Sequence, residues 1–325
     1  EHVAAWSDRP TDAGGVVLRP RQRSVVADAI AYSCVEVRAA AESPVATITI
    51  NAPERDAPRD IAEMLRAGDE YWGIRAAREL DDALLHLRFN RTATGIIQFK
   101  TAGNREWMLA HDDFLRAHRS HWLAREIRLN WARVLRRIDL TSRSLVALIE
   151  PGSCFAGTLA EIAFACDRIF MAAGAFEDRA QAEATLTLSQ ASFGCYPMCN
   201  DLSRLATRFL GAPRSLQRAE QSVGRALSAA QADELGLISN AYDDIDWDDE
   251  IRIFTEERAS FSPDAMTAME SNLRFGGPET MHSKIFGRLS AWQNWIFQRP
   301  NAVGEEGALR RYGSGQPPKF DPQRA

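Results

Sequence analysis

The apolar run Ser144 to Ile149 passes through Glu150-Pro151 into Gly152-Ser153-Cys154-Phe155-Ala156-Gly157-Thr158-Leu159-Ala160-Glu161-Ile162-Ala163-Phe164-Ala165-Cys166-Asp167. A run without polar alternation reads as a strand buried on both faces, the kind found in parallel sheets covered by helices. The small residues after it read as a turn that opens a helix. A sheet therefore hands over to a helix here, where free backbone N–H groups gather and suit an anion. Glu161 is the acid of that helix, set among apolar neighbours.

The rest of the chain repeats the alternation. Cys34 to Arg38 and Val45 to Ile50 alternate apolar and polar residues around Glu42-Ser43-Pro44, the sign of an antiparallel pair. A helix is expected from Ala77 to Arg88, then a strand from Gly95 to Lys100. A long amphipathic helix is expected from His118 to Ile138, with Leu123, Ile127, Trp131, Val134 and Ile138 on its core face. Strands follow at Arg168 to Ala172 and Ala184 to Leu188. This order predicts an α/β architecture with ligands at the carboxyl ends of the strands. Residues 1–33 are arginine-rich and irregular and read as an extended arm. Residues 34–245 form the core, and 246–325 carry helical signal ending in a surface tail, an all-helical end from which an oligomer is expected.

Composition narrows the function classes. A net charge of -5 and a pI near 5.8 disfavour nucleic acid as a partner, since phosphate binding needs a concentrated basic surface. The row Arg125, Arg128, Arg133, Arg136 and Arg137 reads as a solvated helix face. No apolar run approaches a membrane span, and with no signal-peptide pattern a cytoplasmic location is expected. The five cysteines are scattered without histidine neighbours, so reduced thiols are expected and no metal. Because the sequence begins at Glu1, the expectation is a processed chain or part of a longer one.

Three motifs carry a family resemblance. Val45 to Glu54 resembles the opening strand of the crotonase (enoyl-CoA hydratase/isomerase) superfamily. Ala156 to Ala163 with Cys166-Asp167 resembles its Gly-rich turn and helix, and Leu227 to Ile238 the segment that closes its ββα spiral core. A closer resemblance runs through Ser142 to Leu145, Ile149 to Thr158, Asp244 to Trp247, Trp292 to Phe297 and Asn301 to Glu305. These look like the C-terminal half of the benzoyl-CoA-dihydrodiol lyase family. That resemblance implies two crotonase-like halves in one polypeptide. It also implies opening of the ring of 2,3-epoxybenzoyl-CoA by water with release of formate, in aerobic benzoate degradation. Coenzyme A would enter as part of the substrate, and no separate cofactor is implied.

Crotonase chemistry stabilises a thioester enolate with two backbone N–H groups, and hydratases add two carboxylates for water and proton. The resemblance places Glu161 at the first acid and Gln190 at the second. An amide orients water but neither gives nor takes its proton. Thr158 stands at the usual oxyanion-hole glycine beside Gly157, and Ala102, in Phe99 to Asn104, is the expected first donor. Glu161 is read two ways: an acid with a desolvation-raised pKa, or a helix glutamate hydrogen-bonded to a neighbouring segment. Lys100 is read as solvated or as a contact for a CoA phosphate, and Cys154 as a small buried thiol. The complete Gly-rich turn and both working glutamates of the lyase family belong to its N-terminal half. Three expectations follow: a structural half that packs against a catalytic half, a self-sufficient acyl-CoA enzyme using Glu161, or a non-catalytic crotonase-fold subunit that binds a partner. The expected partners are an acyl-CoA substrate and either further copies in a homo-oligomer or an N-terminal crotonase-like half.

Overall fold

A computed structural model describes Trp6 and residues 14–41, 43–176 and 182–324. Strands β1 (Ser24–Val26), β2 (Ala29–Ala31), β3 (Val35–Arg38) and β4 (Val45–Asn51) pair antiparallel along one side of a mixed sheet. From β4 the sheet continues in parallel through β5 (Ile96–Ala102), β6 (Ser144–Ile149), β8 (Arg168–Ala172) and β10 (Asn240–Tyr242). A second, two-stranded sheet pairs β7 (Phe155–Ala156) with β9 (Leu186–Thr187) in parallel. Alternation in β4 buries Ala46, Ile48 and Ile50, whereas β6 is buried at every position, as its unbroken apolar run requires. This order matches the ββα core implied by the sequence, with helices on the sheet and a helical C-terminal region.

Helices Trp72–Asn90 and Trp122–Asp139 pack on each other, with the Trp72 and Trp131 rings stacked at 5.5 Å. The long helix expected from His118 is present with Leu123, Ile127, Trp131, Val134 and Ile138 buried, and starts four residues later than expected. A separate helix, Arg105–Ala117, comes first, and the next begins at Trp122 with the His121 ring accepting the Leu123 N–H. The many charges of Arg105–Ala117 hide the stripe of Met108, Phe114 and Leu115 that buries it.

Residues 24–31, read as irregular, form β1 and β2 at the sheet edge. The segment before them is clamped by Arg19 on Glu70 and by Arg21 and Arg23 on Asp82. The strand expected from Ala184 shrinks to the two residues of β9. The arginine row is only partly solvated: Arg133 and Arg137 close on Asp81, and Arg136 donates to the Pro197 carbonyl at 2.8 Å. After β10 the described chain is helical, with Trp247–Ser260 and Pro263–Arg274 packed on the core side. The helical stretch 281–296 buries none of its residues. No helix among the described residues is long and apolar enough to cross a membrane.

Candidate active site

Beyond β6 and β7 the chain makes a tight 3-10 turn, Gly157–Leu159, that feeds helix Ala160–Phe164, all of it buried. Gly157 has φ +53°, a left-handed conformation that favours glycine. A second constraint acts on the same atom. The carboxylate of Asp112, on helix Arg105–Ala117, comes so close that a Cβ at 157 would lie 2.1 Å from its Oδ2.

Asp112 reaches in because the turn supplies its donors. Its Oδ2 accepts the Thr158 backbone N–H at 2.8 Å and the Ser189 hydroxyl at 3.0 Å, and its Oδ1 accepts the Thr158 hydroxyl at 2.6 Å. Thr158 Oγ1 also meets the Tyr196 hydroxyl at 2.9 Å. Burial pushes the Asp112 carboxyl up to about 6, against the pull of these donors. The anion suited to the turn is thus a side chain of the same protein, and it occupies the N–H of Thr158.

Glu161 is 1% exposed and points away from solvent into an ionic chain. Its Oε2 accepts from Arg204 Nη1 at 3.2 Å, while Arg204 grips Asp139 with two bonds of 3.1 and 2.7 Å and donates to the Tyr196 carbonyl at 3.0 Å. Glu161 Oε1 has no hydrogen-bond partner among the described residues. One guanidinium faces two carboxylates, and burial pushes Glu161 up to about 7 despite it.

Gln190 begins a 3-10 turn, Gln190–Phe193, packed beside the first, and its side chain is exposed. It shares no hydrogen bond with Glu161 among the described residues. The cleft lined by Asp112, Arg116, Arg128, Ser189, Gln190 and Tyr196 encloses only ≈ 10 Å³, room for about one water. Ala102 ends β5 opposite Asn51, and its carbonyl accepts the Ala52 N–H at 2.8 Å. Gly157, Thr158, Glu161 and the Gln190 turn are therefore neighbours, and Ala102 sits at the end of a nearby strand.

Two further side chains are accounted for. Lys100 bonds both oxygens of Glu150 at 2.9 Å, and Glu150 also accepts the Trp247 indole N–H at 3.2 Å. Cys154 is buried, which pushes its thiol up to about 12 and keeps it protonated. The residues that sequence reasoning missed are Asp112, Asp139 and Arg204. For Asp112 a signal existed: it lies four residues after Met108 and three before Leu115, on the apolar face of a helix.

These raised carboxyls set a pH dependence. Asp112 and Glu161 ionise near pH 4 in an unfolded chain but hold their protons to about 6 and about 7 in the fold, with Asp139 shifted the same way. The folded state then binds more protons, so stability falls as pH rises from about 4 to about 7 and levels off above. Asp112→Asn cannot ionise. Denaturant midpoints measured across this window are expected to fall less for that variant than for the parent, and parallel curves would contradict the assignment.

No family model matches the chain. Among solved structures it is similar to an enoyl-CoA hydratase of Geobacillus kaustophilus HTA426, with a TM-score of 0.62 and 16% identity over 93% of this chain and 100% of that one. It is also similar to an enoyl-CoA hydratase/isomerase of Cupriavidus metallidurans CH34, with a TM-score of 0.58 and 18% identity over 90% and 98% of the two chains. These likenesses show that the chain shares the fold of those enoyl-CoA hydratases. In sequence it is close to the benzoyl-CoA-dihydrodiol lyase of Aromatoleum evansii, 47% identical over 319 residues, which are 98% of this chain and 57% of that protein.

Proposed function

We propose that this chain acts as the non-reacting, crotonase-fold half of an acyl-CoA lyase, packing against a second crotonase-like half that carries the working glutamates. The reaction served would be the opening of 2,3-epoxybenzoyl-CoA by water with release of formate. One observation carries the reading: the Thr158 N–H, which the resemblance assigns to the oxyanion hole, is bonded to Asp112 at 2.8 Å. An oxyanion hole works by donors free for the charge that develops in the transition state. A donor held by a carboxylate offers no such help and repels an enolate. The closeness to a lyase whose length this chain covers only in part supports the same reading.

The alternative, a self-sufficient enzyme with Glu161 as its base, asks that buried carboxylate to leave Arg204. Titration calorimetry separates the two readings. The chain alone is expected to show no binding of benzoyl-CoA up to about 1 mM. Co-expression with the N-terminal half of the Aromatoleum lyase is expected to give a complex that releases formate. Tight binding and turnover by the chain alone, abolished in Glu161→Gln, would establish the alternative.

A further inference from the structure

Arg143 precedes β6 at the end of the sheet opposite the Gly157 turn, roughly 20 Å away along the strand. It is 4% exposed, and its side chain makes no hydrogen bond or ion pair among the described residues; Nε is buried without an acceptor. A buried guanidinium without an acceptor is costly, because nothing replaces the water it gave up.

Two more arginines share this corner. Arg88, near the end of helix Trp72–Asn90, reaches among the described residues only the Leu140 carbonyl at 3.5 Å and Thr141 Oγ1 at 3.4 Å. Among the described residues Arg324 reaches only the Ala93 and Pro322 carbonyls, at 3.5 and 3.2 Å, and its own Nε is also buried without an acceptor there. It lies against Gly95, where a Cβ would fall 2.7 Å from Nη2. The Ser144 N–H donates to the Gly95 carbonyl at 3.0 Å, which joins the strand start behind Arg143 to the loop under Arg324.

The acids that act on Arg88 and Arg324, Asp81 and Asp264, are engaged elsewhere, and Glu270, which accepts the neighbouring Ser144 hydroxyl at 2.9 Å, is held by Arg258. Asp81 takes Arg133 and Arg137, and Asp264 takes Arg299 at 3.0 Å and Asn301 at 3.1 Å. Burial and the charges of Arg324 and Arg88 lower Arg143 to about 10, as expected of cations gathered without a counter-ion.

We propose that this corner is an oxyanion site that takes a phosphate group, with Arg143 at its floor and Arg88 and Arg324 at its rim. Three guanidiniums call for more than one negative charge, and a phosphate dianion supplies the charge together with enough oxygens for several N–H forks. The phosphate can be free inorganic phosphate or the end of a phosphomonoester; the chemistry of recognition is the same.

The test uses the whole chain in phosphate-free buffer. Inorganic phosphate is expected to raise Tm saturably, beyond chloride at matched ionic strength, with acetate roughly ten-fold weaker. Methyl phosphate in a second arm distinguishes the sources: a response equal to that of inorganic phosphate means that an esterified group is accepted, and a response to the inorganic ion alone means the free ion. Arg143→Met is expected to lose the saturable response and to melt no lower than the parent without phosphate, since it removes an unpaired buried charge. Should that variant fail to fold, Arg324→Gln, at the rim, is expected to weaken phosphate by roughly ten-fold with its phosphate-free Tm unchanged. A parent chain that responds to phosphate no more than to chloride overturns the proposal, as does a folded Arg143→Met that responds like the parent.

Discussion

Arg204→Met is expected to lower the unfolding free energy by about 3–5 kcal/mol, the usual consequence of removing one partner from a buried ion cluster. Arg204 is 2% exposed and supplies two bonds to Asp139, one to Glu161 and one to the Tyr196 carbonyl. Without it two carboxylates share a low-dielectric space with no cation between them, and at least one must take up a proton. Both acids are raised in the fold, so the loss is expected to shrink as pH falls to about 4 and below, where the carboxyls take up protons with or without Arg204. Adding Asp139→Asn and Glu161→Gln to Arg204→Met is expected to recover a large part of the loss at neutral pH. Urea unfolding of the three proteins measures this. An Arg204→Met variant within about 1 kcal/mol of the parent would show that the cluster does not hold the turn helix to helix Trp122–Asp139.

Gly157→Ala carries the second large effect, an expected loss of about 3 kcal/mol from two separable sources. A left-handed backbone costs a residue with a Cβ about 1–2 kcal/mol, and forcing a methyl group against a buried neighbour adds about 1–3. Only the second depends on Asp112, whose Oδ2 would stand 2.1 Å from the new carbon. In an Asp112→Gly background the same substitution is expected to cost only the backbone part. The double-mutant cycle then leaves a coupling of about 1 kcal/mol or more, free of the donors that Asp112→Gly orphans by itself. Strict additivity would mean that the glycine is required by the turn alone.

Much of the fold was legible because it follows from periodicity. The unbroken apolar run of β6 and the alternation of β4 each fit one kind of burial, and the strand Arg168–Ala172 appears where it was expected. The helix Arg105–Ala117 was not legible as a helix, since its charged residues outnumber the apolar ones that bury it. That omission hid the residue on which the site turns. Glu161, Gln190 and Thr158 lie where the family pattern placed them in sequence, yet their chemistry depends on partners 43 and 46 positions away, Arg204 and Asp112. No local pattern reports such a pairing. Arg143 escaped notice for the opposite reason: its distinction is the lack of a partner among the described residues, which only a folded chain reveals.

The Thr158 N–H also sets a competition that no supply of ligand governs. Asp112 is tethered to its donor by the rigid packing of its own helix, so it is present at an effective concentration fixed by geometry and not by the surroundings. A soluble thioester dilute by comparison would have to displace it, and with it the Thr158 and Ser189 hydroxyl bonds, in one event. Access to that donor is therefore a property of helix Arg105–Ala117, and opens only as far as that helix withdraws.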